Sequence, residues 1–207
     1  MKKRFFVLLL ILAVCCGAFG QTADDYFNQG NTYYDQGDYN RAITAYTNAI
    51  RLSPNSANAY FRRGAAYYYS DDYTRAIADY TQAIRLNPNF ASAYNNRGIA
   101  YQNNGDNTRA IADYTEAIRL NPNHTGAYNN RGSAYQDSGD NTRAIADYTQ
   151  AIRLNPKHTG AYFNRGTAYV LNGDISRAIA DFEAALRIDP DDTYVREALE
   201  ILRRLAQ

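Results

Sequence analysis

The residues that usually carry catalysis are scarce here. The 207-residue chain holds two cysteines and two histidines. Cys15 and Cys16 are neighbours inside the apolar N-terminal run, so everything after them lacks a thiol and can form no disulfide. A protein zinc site needs three or four converging ligands, and His124 and His158 have no cysteine near them to complete one. No glycine-rich phosphate loop, nucleophile-and-base pattern or metal-ligand spacing is present. The expectation is a protein that is not an enzyme, with no catalytic residue, metal or cofactor.

Long hydrophobic runs are also missing after the N-terminus. MKKR followed by FFVLLLILAV is a charged start with an apolar core of about ten residues, too short for a bilayer that needs roughly twenty. Ala18-Phe19-Gly20 then supplies small residues of the kind a signal peptidase reads. Residues 1–20 therefore read as a secretory signal, with an exported chain starting at Gln21 in the periplasm or outside a bacterial cell. Lipid attachment at Cys15 or Cys16 is the alternative and would make a membrane-anchored lipoprotein, although Val14 stands where a small residue ordinarily precedes such a cysteine. Membrane contact is expected only in that case. Taking Lys2, Lys3 and Arg4 from the 22 basic residues leaves 19 against 21 acidic ones, a net charge near −2. That balance argues against nucleic acid as a partner, because phosphate binding wants a clustered positive surface.

What the chain does have is repetition. DNTRAIADYTEAIRLNP at 106–122 returns at 140–156 with one change, thirty-four residues later. Blocks of that length align without a gap as 23–56, 57–90, 91–124, 125–158 and 159–192. A period in this range marks stacked supersecondary units. His124 and His158 occupy one place in successive blocks, so duplication explains their likeness. Position eight is always Gly (Gly30, Gly64, Gly98, Gly132, Gly166), position eleven Tyr, positions twenty and twenty-seven Ala, and position thirty-two Pro.

Positions four, eight and eleven share one face of a first helix; positions twenty, twenty-four, twenty-seven and twenty-eight share one face of a second. Each block is a helical hairpin. Gly-Asp at fifteen and sixteen stops the first helix at a residue that tolerates positive φ and offers a carboxylate cap to the second; Asp71-Asp72 is the weaker version in block two. The small Gly and Ala let the helices approach, and aromatic residues at four, eleven and twenty-four fill the space beside them. Arg at seven (Arg63, Arg97, Arg131, Arg165) occurs with Asp at twenty-three (Asp79, Asp113, Asp147, Asp181), whereas block one has Gln29 and Ala45. This predicts an ion pair between the helices of each hairpin, with Arg97 and Asp113 within about 6 Å. An anion-binding arginine ladder is the alternative. Residues 193–207 read as a C-terminal capping helix with Val195, Leu199, Leu202 and Leu205 as its apolar side.

Five tandem blocks with Gly, Tyr, Ala, aromatic, Ala and Pro at these places resemble tetratricopeptide repeats, with Tyr in place of the usual Trp at position four and Arg in place of the usual Leu at seven. The resemblance implies an all-α fold, a right-handed α-solenoid of five helix-turn-helix repeats plus the capping helix. It also implies a concave groove lined by positions two, five, nine, twelve and thirteen of each first helix. Those positions nominate Phe27, Asn31, Tyr34, Phe61, Tyr68, Asn95, Gln102, Asn129, Gln136 and Phe163 as peptide-contacting residues. Amides that donate and accept, between aromatic anchors, suit an extended polypeptide. The family's clamp for acidic chaperone tails uses Lys at two and five, and no Lys stands there, so that specificity is not expected. The function expected is a non-catalytic, monomeric scaffold holding a protein or peptide segment. Alternatives are a lipid-anchored cell-envelope assembly factor and a self-assembling structural repeat protein.

Overall fold

The structure, a computed structural model, describes residues 20–205. The readings of secretion and of lipid attachment at Cys15 or Cys16 turn on residues 1–19 and lie outside the described residues. Eleven helices and no strand occur among the described residues. Ten of them form five hairpins: α1 (Ala23–Asp35) with α2 (Tyr39–Leu52), α3 (Ala57–Tyr69) with α4 (Tyr73–Leu86), α5 (Ala91–Asn103) with α6 (Asn107–Leu120), α7 (Thr125–Asp137) with α8 (Asn141–Leu154), and α9 (Thr159–Leu171) with α10 (Ile175–Ile188). The eleventh, α11 (Thr193–Leu205), closes the stack.

Local chemistry sets the hairpin turns. Gly37, Gly105, Gly139 and Gly173 sit at φ between 75° and 81°, and Asp71 adopts the same left-handed conformation at φ 59°. The following Asp caps the second helix: Asp106 accepts the Arg109 backbone N–H at 2.9 Å and takes the same residue's Nε on its other oxygen. Between hairpins, Asn87, Asn121 and Asn155 turn extended, and each side chain accepts a backbone N–H two residues on. His124 and His158 then cap α7 and α9, each accepting a backbone N–H on Nδ1 at 3.2 and 3.1 Å. A helix cap is thus the role the structure gives both histidines. Burial holds the His124 imidazole below its ordinary pKa, favouring the neutral form that the cap needs.

The core repeats with the sequence. Tyr46, Tyr80, Tyr114 and Tyr148 are fully buried, and Phe182 takes the equivalent place. Each ring lies against the glycine at position eight of its own hairpin: a Cβ on Gly132 would stand 2.7 Å from Tyr148 Cε1. The aromatics divide differently from the sequence expectation. Only position twenty-four is buried, whereas the tyrosines at four and eleven are half-buried and, apart from Tyr26, offer their faces to arginines, as Tyr101 does to Arg109 at 4.5 Å. Stacking between units uses alanines at positions three and ten. Ala66 packs on Ala42 and Tyr46 of the preceding hairpin, and Ala93 packs on Ala83 and Ile84. In the first hairpin those two places are the exposed Asp25 and Thr32. At the other end, Val195, Leu199 and Leu202 cover Ala178, Phe182 and Ala185, as a cap must; the side chain of Leu205 lies outside the described residues.

Candidate functional site

Successive first helices make closer mutual contact than successive second helices, so α1, α3, α5, α7 and α9 line the inner side of the stack. Side-chain hydrogen bonds cross from unit to unit along this side. Asn130 donates to Asn95 and Asn164 to Asn129, both at 3.1 Å, while Gln102 donates to Asp137 at 2.7 Å and Asn103 to the Tyr68 hydroxyl at 3.2 Å. Each bridge joins one position of a unit to the next position, or its reverse, one repeat away. These bridges join α3 through α9, and the Tyr34–Tyr69 ring contact carries the surface on to α1.

The nominated residues fall into two kinds. Asn31, Gln102 and Gln136 each accept the hydroxyl of a buried core tyrosine, from Tyr46 at 2.8 Å and from Tyr114 and Tyr148 at 3.0 Å. These amides therefore satisfy buried phenols from the groove side, a partnership the sequence did not reveal. Asn95 is only 7 % exposed, so it holds adjacent units together and presents little surface; Asn129 is half-buried and accepts from Asn164. The Gln102 amide nitrogen is spent on Ser133 and Asp137, whereas the Asn129 and Gln136 amides accept on their oxygens and keep their N–H donors for a ligand.

The aromatic candidates are half-buried and cluster at the two ends. Phe27 tilts against Tyr46, and Phe61 packs on Tyr80 and on Phe90 at 4.7 Å. Phe163 stacks on Phe182 and touches Tyr194 of α11. Tyr34 and Tyr68 belong to a tyrosine cluster with Tyr39, Tyr69 and Tyr73, in which Tyr69 is 55 % exposed. This cluster borders a cavity of ≈ 190 Å³ lined by Tyr34, Ala65, Tyr68, Tyr69, Tyr80, Asn96 and Ile99. Burial, together with Tyr69 and Tyr39, pushes the Tyr34 phenol well above its ordinary value, with the Arg62 guanidinium opposing. Position six, which Arg62 and Asn96 occupy, is therefore part of the surface, although sequence reasoning had not included it. The groove positions that the family resemblance implies do not include position six.

The arginines at position seven do different work. Arg63, Arg97, Arg131 and Arg165 each bind their aspartate through two bonds of 2.7–2.8 Å. The remaining Nη1 donates at 3.0 Å to a threonine of the preceding unit: Thr47, Thr81, Thr115 or Thr149. The hydrogen bond to Asp147 leads the interactions that raise the Arg131 pKa. With the guanidinium fork engaged on both sides, these arginines couple neighbouring units, and the anion-ladder alternative does not hold. The first hairpin has Gln29 and Ala45 at these places, and among the described residues no hairpin precedes it. Among the described residues no group of His, Cys, Asp or Glu converges as a metal site, and no helix is long and apolar enough to cross a membrane.

Known proteins match this architecture. Family models described as TPR repeat or tetratricopeptide repeat match residues 30–71, 66–105, 91–124 and 129–193. No curated protein matches the sequence. Among solved structures, MamA is 27% identical over 80% of this chain and 96% of its own, with a TM-score of 0.73. YrrB, described as a TPR protein with an unusual peptide-binding site, is 23% identical over 86% of this chain and 92% of its own, with a TM-score of 0.71. TTC0263, a thermophilic TPR protein of Thermus thermophilus, is 20% identical over 87% of this chain and 98% of its own, with a TM-score of 0.68. The last two likenesses bear on the fold alone. Proteins of this fold serve in general as scaffolds for protein–protein interaction. The matched repeats and the five stacked hairpins agree: the chain belongs to the tetratricopeptide-repeat family.

Proposed function

We propose that this protein is a non-catalytic scaffold that holds an extended segment of a partner along the face made by α1, α3, α5, α7 and α9. The observation that carries the reading is the set of unit-to-unit bridges, Asn130 to Asn95 and Asn164 to Asn129 among them, which joins side chains from separate repeats into one surface. A segment lying on that surface meets amides with spare donors in the middle and ring faces toward the ends, so backbone and side chains both find partners. Ordered rings and bridged amides also lose little freedom on binding. The charged N-terminal run supports export, with the chain acting outside the cytoplasm as a monomer. Mass spectrometry of the N-terminus tests that part: Gln21 is expected, an acylated cysteine replaces the free exported chain with a lipid-anchored one, and an uncleaved Met1 overturns export.

A photo-crosslinking residue tests the groove itself. Placed at Gln136 on the inner face, it is expected to capture a protein partner from cells; placed at Arg85 on an outer helix, it is expected to capture none. Equal capture at both places, or capture from Arg85 alone, contradicts the proposal.

A further inference from the structure

The inner surface is not uniform, and its least regular part is the junction of the first three units. Position nine, which is Asn31, Ile99, Ser133 and Thr167 elsewhere, is Ala65 in the second unit. The short side chain opens the floor of the ≈ 190 Å³ cavity between α3 and α5. A cavity of comparable size in another protein core accepts one benzene ring, so the volume here suits one aromatic side chain. Its walls are rings themselves: Tyr69 meets Tyr34 edge-on at 5.8 Å and Tyr68 edge-on at 5.3 Å. An incoming ring would extend this edge-to-face packing.

Charge narrows the ligand further. Every other unit has Asn at position six, but the second has Arg62, which is exposed and forms no ion pair among the described residues. Arg62 precedes Ala65 by three residues, about one helical turn, which puts it on the helix face that Ala65 presents to the cavity. It is the one cation at positions two, five, six, nine, twelve and thirteen of the described first helices. Asp35 and Asp71 stand at the opposite, turn end of the tyrosine cluster. They repel an acidic ligand there and leave the Arg62 side as the place for a carboxylate.

We infer that this cavity is an anchor subsite for an acidic segment of a partner protein, taking one aromatic side chain between Tyr34, Tyr68 and Tyr69 while a neighbouring carboxylate pairs with Arg62. The inference rests on the groove reading above and names the chemistry of what the groove holds. A ring supplies most of the contact area, and the guanidinium supplies register and selects against basic segments.

Fluorescence anisotropy with three labelled, end-blocked peptides tests it on the full chain: Gly-Ser-Asp-Phe-Asp-Ser-Gly, the same peptide with Lys for Asp, and the same with Ala for Phe. The Asp-Phe-Asp peptide is expected to bind, and the other two to bind about tenfold more weakly or less. Arg62→Glu is expected to reverse the preference between the Asp and Lys peptides. Ala65→Leu fills the cavity and Tyr69→Ala removes an exposed wall; both are expected to weaken the Asp-Phe-Asp peptide about tenfold. Tyr69→Ala keeps the test valid should Ala65→Leu fail to fold. No binding of the Asp-Phe-Asp peptide, equal binding of the Asp and Lys peptides, or indifference to Arg62→Glu overturns the inference. Those results leave the groove reading standing if Gln136 still crosslinks a partner; if it does not, that reading falls separately.

Discussion

Arg97 and Asp113 face each other across one hairpin through two parallel hydrogen bonds of 2.7 Å, and the same guanidinium reaches Thr81 of the preceding hairpin at 3.0 Å. The pair therefore serves both the hairpin and the stack. The Asp113 side chain is 9 % exposed and that of Arg97 15 %, so removing one partner strands a charge where water compensates poorly.

Asp113→Ala is expected to cost about 3 to 5 kcal/mol of stability. Glu116→Ala, which breaks the exposed pair with Arg119, is expected to cost under about 1 kcal/mol. Urea unfolding followed by circular dichroism checks both, and equal losses would show that the buried pair is not special.

The close approach at position eight gives a second prediction. Gly132→Ala places a methyl against the Tyr148 ring and is expected to cost about 1 to 3 kcal/mol by overpacking. Thermal unfolding of Gly132→Ala beside the double variant with Tyr148→Leu checks the mechanism, because the smaller partner is expected to reduce the penalty of the added methyl.

How much of this was legible beforehand follows from how the chain is written. Five copies act as an internal comparison, so the joint presence of Arg97 with Asp113, and their joint absence as Gln29 and Ala45, exposed a contact that one copy would have hidden. The alanines at three and ten do not stand out in the sequence as the seam between units, because Ala contributes little to a hydrophobic pattern. Thr81 and the bridges at Asn95 and Asn129 depend on the register between hairpins, which no property of a single hairpin specifies. Arg62 and Ala65 depart from their own repeat, and departures of that kind are where a duplicated sequence says most about a site.

Asp71 carries a third prediction. An L-residue in the left-handed region costs roughly 1 to 2 kcal/mol, and Gly there is nearly free of that strain but loses more entropy on folding. Asp71→Gly is expected to stabilise by about 0.5 kcal/mol, whereas Gly105→Ala is expected to destabilise by about 1 kcal/mol. Paired melting curves decide the matter, and destabilisation by Asp71→Gly contradicts it.

Stability is expected to fall at both ends of the pH scale. Backbone hydrogen bonds from Arg41, Arg109, Arg143 and Arg177 hold the capping carboxylates of Asp38, Asp106, Asp140 and Asp174 below their ordinary value. Their contribution is complete above the unfolded value near about 3.9 and is lost as pH drops through the folded values. Burial pushes the Tyr46 phenol up to about 12 and those of Tyr80, Tyr114 and Tyr148 higher still. Their contribution is complete below the unfolded value near about 10 and disappears as pH rises through the folded ones. Melting temperature against pH is expected to show a plateau with acid and alkaline limbs. Tyrosinate absorbance is expected to show these four ionising only with alkaline unfolding; early ionisation of all tyrosines contradicts the burial.

The most direct test of the scaffold account is hydrogen–deuterium exchange on the full chain, with and without the partner captured through Gln136. Added protection is expected in α3, α5 and α7, with α4, α6 and α8 little changed. Protection appearing first on α4, α6 and α8, or only at α11, would contradict a partner held along the inner face.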